Sequence, residues 1–172
     1  FSVDLIAIRD AAQSLPWVAV ADIRRAWPDK LQINVVEQVP IASWRGEALL
    51  NPQGELFVPV VTQIPPGLPD LSGPQGTEKS VLHNFSFIQK ELNSVGMESV
   101  GVTFDERHSW ILELDNDVKV YLGSKELSSR IERLKRFYPK AKSQWKGMPK
   151  RVDMRYTNGF SVAWAETEKV SN

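Results

Sequence analysis

A reaction centre or metal site in this chain would have to be built without cysteine, from two histidines and from the 21 residues that are Asp or Glu. Neither His83 nor His108 has a second ligand type at the spacing of a helical metal motif, so no metal site is expected. The string GPQG at 73–76 lacks the strand–loop–helix setting and the Lys-Ser/Thr of a phosphate-binding loop. No Gly-x-Ser-x-Gly elbow is present. The carboxylates Asp105-Glu106 and Asp115/Asp117 fall in turn-like strings, where solvated turn residues explain them better than a general acid/base pair. No catalytic residue and no cofactor are therefore expected. Without cysteine, thiol catalysis, disulfides and Cys-based zinc sites are excluded, a composition that suits an oxidising compartment without fixing it.

The residue types that do suggest chemistry are those of binding. Phe160-Ser161-Val162-Ala163-Trp164 reads as a last strand without charge or proline, the devices that normally blunt a sheet edge. An edge of that kind can accept a strand from another chain. Arg155, Tyr156, Phe160 and Trp164 surround it, and Arg and aromatic residues are the types that dominate binding hot spots. The alternation leaves open which face is buried, so core or cross-strand packing of Tyr156 and Trp164 is an equal reading. Lys and Arg also number 21, giving zero net charge and no global field toward nucleic acid or an anionic membrane. Aromatic and basic residues do not interleave on one sheet face, which argues against nucleic-acid binding.

The elements that must position these residues follow from periodicity and turn chemistry. A helix capped by Ser2 runs to about Ser14, with Leu5, Ile8 and Ala12 on one face. Pro16 releases the chain into a strand whose residues Ala21, Ile23, Arg25 and Trp27 share a face. Pro28 sets up a type I turn, and Leu31, Ile33 and Val35 share a face of the returning strand, the pattern of a half-buried hairpin. Pro40 ends that strand. Short strands are expected over Ile41–Trp44, Ala48–Leu50 and Glu55–Phe57, with a turn at Asn51-Pro52-Gln53-Gly54. The Pro- and Gly-rich segment 58–76 reads as an irregular crossing, neither strand nor helix, packed through Val60, Val61, Ile64, Leu68 and Leu71.

Thr77 is the expected cap of a helix to about Leu92, with the stripe Val81, Leu82, Phe85, Ile88 and Leu92, stopped at Gly96. Strands follow at Val100–Phe104, Trp110–Leu114 and Val118–Leu122, then a helix over Lys125–Phe137. Lys140, Lys142, Lys146, Lys150 and Arg151 form a basic connector, read as a solvated, poorly ordered loop. Val152, Met154 and Tyr156 share a face of the next strand, and Thr157-Asn158-Gly159 is the strongest hairpin-turn signal in the chain. The fold class is thus α+β. No apolar run approaches the roughly 20 residues of a membrane helix, and no signal peptide is visible. A start at Phe1, with one helix and one hairpin that cannot close a core, reads as a fragment whose first unit lacks its N-terminal part.

Six strings carry a resemblance: LPWV at 15–18, RRAWPDKLQINVVEQVPIASW at 24–44, LNPQGELF at 50–57, LSGPQG at 71–76, RHSW at 107–110 and VDMRYTNGFSVAW at 152–164. In this order, and over essentially the whole chain, they resemble the FtsQ/DivIB cell-division family, in its Gram-negative form. The resemblance implies a POTRA domain over residues 1–42 lacking its first strand and helix. An antiparallel β-domain with flanking helices would follow over 43–165, with a frayed tail over 166–172.

It further implies a non-enzymatic divisome scaffold in the periplasm at the division septum. A single-pass helix absent from this chain would anchor it in the bacterial inner membrane. The partner would be FtsB, and FtsL through it, bound by strand addition to the last strand. Carried onto matching positions, the contacts are Arg107 and Arg155 to acidic groups, Tyr156 and Trp164 as apolar anchors, Gly159 for close approach, and Phe160 in the pairing strand. Asn158 stands at a contact position where a serine is often found. Val20, Ile23 and Arg25 match positions linked to recruitment through FtsK. The alternative is a POTRA-type module assisting outer-membrane or secreted protein assembly.

Overall fold

The computed structural model describes residues 4–60, 64–144, 147, 149–157 and 159–164. Ser2, Val61, Lys146, Asn158 and the tail from Ala165 onward, all of which carry expectations above, lie outside the described residues. The chain divides into two compact units, Phe1–Gly67 and Leu68–Asn172.

In the first unit, helix α1 (Leu5–Gln13) is capped by Asp4, whose carboxylate accepts from the N–H groups of Ile6 (2.9 Å) and Ala7 (3.2 Å). These are two of the donors that a helix start leaves unpaired. Leu5, Ile8 and Ala12 form its less exposed face as expected, and the helix packs on β1. Strands β1 (Val18–Ala26) and β2 (Lys30–Glu37) make an antiparallel hairpin, with Ala26 opposite Lys30 and Trp27 to Asp29 as the connection. The Trp27–Pro28 peptide bond is cis.

The expectation of a half-buried hairpin holds on β1, where Ala21 is buried and Ile23 partly so, but not on β2. Every residue of β2 is exposed, including Leu31, Ile33 and Val35, and Trp27 is 94% exposed. Alternation sorts side chains to two faces but does not supply a layer to cover either. Strands β3 (Ala42–Trp44), β4 (Ala48–Leu50) and β5 (Leu56–Phe57) form an antiparallel meander close to the ranges expected. Asn51 closes its second turn, since Oδ1 accepts from the N–H groups of Gln53 and Glu55. Trp17 meets Phe57 edge-on at 5.4 Å between ring centroids.

The second unit is a sheet backed by two helices. Its strands are β6 (Asp70–Ser72), β7 (Ser99–Phe104), β8 (Trp110–Leu114), β9 (Lys119–Gly123), β10 (Pro149–Asp153) and β11 (Ser161–Trp164), and its spatial order is β11-β10-β9-β8-β7-β6. Antiparallel pairing dominates, with parallel pairs at β6–β7 and β9–β10. Helices α2 (Glu78–Asn93) and α3 (Leu127–Lys142) pack on each other and on the sheet. All five residues of the predicted α2 stripe are buried, and α3 turns in Ile131, Leu134 and Tyr138.

Three expectations in this unit are corrected. The segment 58–76 contains a strand, β6, because Leu71 is fully buried and Asp70–Ser72 pairs in register with Gly101–Thr103. Thr77 occupies the cap position of α2, but its hydroxyl donates to the Pro74 carbonyl (2.6 Å) instead of capping. Helix α3 continues past Phe137 through Pro139 to Lys142, so Lys140 and Lys142 lie in its last turn rather than in a loop. Burial of Tyr138 supports that extra turn, and cations at a helix C-terminus complement its partial negative charge.

Candidate functional site

The two C-terminal strands are joined by a connection longer than a two-residue turn. Val152 faces Val162 and Asp153 faces Ser161, so the connection between β10 and β11 runs from Met154 to Phe160. Strand β10 is placed by parallel pairing with β9, where Arg151, Val152 and Asp153 lie opposite Lys119, Val120 and Tyr121. The Met154 N–H adds a last bond to the Tyr121 carbonyl (2.9 Å). Beyond it the chain leaves the sheet, which ends the expected run of Val152, Met154 and Tyr156 on one strand face. Val152 and Met154 are buried, whereas Tyr156 is 60% exposed.

Helix α3 takes over the backbone of the departing loop. Arg133 donates from Nη2 to the Met154 carbonyl (2.7 Å), and from Nη1 to the carbonyls of Tyr156 (2.8 Å) and Thr157. Arg130 donates to the Leu122 carbonyl and, at 3.5 Å, to that of Arg155. Gly123 makes room for this arrangement: its φ is +74°, and a Cβ there would collide with Arg130 Nη1 and meet Arg155 Cγ at 3.1 Å.

Arg151, Asp153 and Arg155 share one strand-spaced row. Arg155 grips Asp153 with two bonds, Nε to Oδ1 (2.9 Å) and Nη2 to Oδ2 (2.6 Å), and its own N–H donates to Oδ1. Arg151 Nη2 donates to Oδ2 (2.9 Å), with its guanidinium 4.2 Å from the Tyr121 ring centroid. The bonds from Arg155 hold the Asp153 carboxyl down at about 2, against the upward push of burial. The same pairing raises the pKa of Arg155.

Arg155 and Arg107 line one open groove of about 470 Å³, together with Lys125 and Arg130. Arg107 is aimed by the turn between β7 and β8. There the Asp105 carboxylate accepts from the N–H groups of Arg107 (2.9 Å) and Ser109 (2.8 Å), which bears out its reading as a turn residue. The structure thus brings together two arginines that lie far apart in sequence. The Phe160 ring lies tilted against that of Phe137 of α3, with centroids 6.4 Å apart. Trp164 is 47% exposed, and a Cβ added at Gly159 would point into open space. Strand β11 is the edge of the sheet, with β10 its one neighbour among the described residues.

The other predicted group is not assembled in the same way. Ile23 and Arg25 lie on one face of β1, opposite Ile33 and Leu31, while Val20 lies on the other face beside a register shift. Asp153, Arg151, Tyr121, Arg130 and Arg133 were missed by sequence reasoning. The Arg-x-Asp-x-Arg spacing at 151–155 could have revealed the first two, since alternate strand residues share a face. Nothing local marks Arg133. Among the described residues no group of three or more His, Asp or Glu is placed to hold a metal, and no helix is long and apolar enough to cross a membrane.

These features define an α+β protein with a β-sheet edge and an arginine-lined groove near its C-terminus. Residues 1–38 match the POTRA domain model of FtsQ type, and residues 42–155 match the model for the C-terminal part of cell division protein FtsQ/DivIB. A cell division protein FtsQ from Coxiella burnetii is 35% identical over 164 residues, covering 95% of this chain and 68% of the relative. One from a Thioalkalivibrio species is 36% identical over 163 residues, with the same shares. A third, from Shewanella oneidensis, is 35% identical over 168 residues, covering 98% of the chain and 64% of the relative. The chain belongs to the FtsQ/DivIB family of cell-division proteins. Membership assigns it to the bacterial division complex at the septum.

Proposed function

We propose that this chain is a non-enzymatic scaffold that binds FtsB, and FtsL through it, by accepting a strand along β11, so linking early and late division proteins. In this reading the region is periplasmic and belongs to a protein held in the inner membrane. Residues 1–42 form its POTRA domain and 43–165 its β-domain. Recruitment through FtsK would use the β1 positions Val20, Ile23 and Arg25.

The observation that supports strand addition most is the edge itself. Ser161 to Trp164 carries no charge and no proline and has β10 as its one strand neighbour among the described residues, so it lacks the devices that normally deter a pairing chain. Tyr156 and Trp164 expose large apolar surface beside it. Arg107 and Arg155 offer positive charge in the groove that the start of the β10–β11 connection helps to line, which suits acidic groups on the incoming segment. Asn158 would be a contact position, Gly159 would allow close approach, and Phe160 would enter the pairing strand. The alternative of an outer-membrane assembly module is less favoured, because the region after residue 41 matches the FtsQ/DivIB C-terminal model instead of a further POTRA repeat.

Calorimetry with the C-terminal periplasmic segment of FtsB tests the proposal. Trp164→Ala and Tyr156→Ala should each weaken binding by about 2 kcal/mol or more, the hot-spot scale, with the melting transition preserved. Arg107→Glu should weaken it and flatten its salt dependence. Normal affinity in both aromatic variants would remove the hairpin from the interface.

A further inference from the structure

We infer that Arg133, assisted by Arg130, is a positioning residue: it fixes the β10–β11 connection from beneath and thereby holds β11 ready to accept a strand. The inference rests on the strand-addition reading.

The guanidinium of Arg133 reaches the carbonyls of Met154, Tyr156 and Thr157, and its Nε is buried. Those carbonyls belong to backbone that has left the sheet and has no ladder partner among the described residues. One planar fork bridging several carbonyls restricts the loop far more than a point charge could. Arg130 adds the neighbouring carbonyl of Arg155, from a site that only a glycine at position 123 leaves open.

While the backbone is held toward α3, Tyr156 and the Arg155 side chain remain half or more exposed. Asp153 fixes the Arg155 guanidinium at the groove. At the far end of the loop, Phe160 is anchored on Phe137 of the same helix. A strand acceptor must present its backbone groups in register. Ordering that edge in the free protein removes an entropic cost from the binding step. Arg133 and Arg130 touch the loop carbonyls and act on the partner only through them.

The test compares the chain with Arg133→Met and Arg133→Lys. Hydrogen exchange is read in the free protein, and binding of the FtsB segment is followed kinetically. Both variants should lose protection in the β10–β11 connection and in β11, with α2 and β7–β9 unchanged as the control for folding. Both should bind about tenfold more weakly, mostly through slower association, as expected for an edge that must be ordered at encounter. Lysine should fail to rescue because it keeps the charge without the fork.

Loosened exchange with unchanged affinity would overturn the positioning role and leave strand addition standing. Weaker binding with unchanged exchange would also overturn it, pointing to direct contact with the partner. Full rescue by lysine would reduce Arg133 to a source of charge. No binding by the unmodified chain would sink strand addition and this inference together.

Discussion

At the scale of single residues the decisive group is Asp153. Its side chain is 5% exposed, and three hydrogen bonds from Arg155 and one from Arg151 converge on it. A buried carboxylate without such partners would be driven to neutralise. Here the partners win, and its pKa falls from an ordinary value of 3.8 to about 2. A carboxylate held below its unfolded value stabilises the fold at pH above that value and loses the contribution as pH falls through the folded one. The window is therefore about pH 4 down to about pH 2, and the contribution at neutral pH is about 2 kcal/mol. Asp153→Asn should lower stability by that order at pH 7. Urea unfolding measured from pH 6 to 2 should show a shallower acid decline in the variant. Equal declines in the two proteins would show that the pair does not store this energy. The same pairing changes how Arg155 is understood. Its guanidinium is already committed within the chain, so it offers an acidic partner a fixed charge rather than a free one.

At the scale of elements, burial separates parts that look alike in sequence. The α2 stripe recurs at spacings of three and four and is buried at every position. The β2 stripe recurs at spacing two and is exposed at every position. Ile88→Ala, at a fully buried site, should cost about 2–5 kcal/mol through lost transfer energy and a residual cavity. Val36→Ala, at a site 58% exposed, should cost under about 0.5 kcal/mol. Denaturant midpoints would check both, and a comparable loss at Val36 would mean that β2 is covered in solution.

Strand ranges for β3, β4, β7 and β8 were legible to within a residue or two because alternation and turn residues are local. The strand face of Val152, Met154 and Tyr156 ends earlier than alternation suggests, for a physical reason: the carbonyl bonds from Arg133 take the backbone out of the sheet at Met154. Helix α3 outruns its expected end at Phe137: Pro139 removes one helical bond, yet burial of Tyr138 keeps the helix going.

For the molecule as a whole, the balance of 21 basic and 21 acidic residues leaves recognition to local surfaces. The arginine-lined groove and the β11 edge both lie in the second compact unit, whereas the exposed β1–β2 hairpin lies in the first. The proposed division of labour can therefore be tested by substitution. Ile33→Glu, half exposed on β2, should leave affinity for the FtsB segment within about 0.5 kcal/mol of the unmodified value. A loss on the scale of Trp164→Ala would bring the hairpin into the FtsB interface.

The amino-acid sequence by itself determined the class of fold, the helical stripes, most strand positions, an uncharged final strand and the motifs of the FtsQ/DivIB family. Each depends on neighbours within a few positions, where spacing and φ preferences act directly. Only the tertiary structure decided that Arg107 and Arg155 share a groove, that Asp153 already holds Arg155, and that α3 fastens the loop before β11. Arg133 and Tyr156 are 23 residues apart. A hydrogen bond over that distance is set by the packing of α3 against the sheet, which no periodicity records.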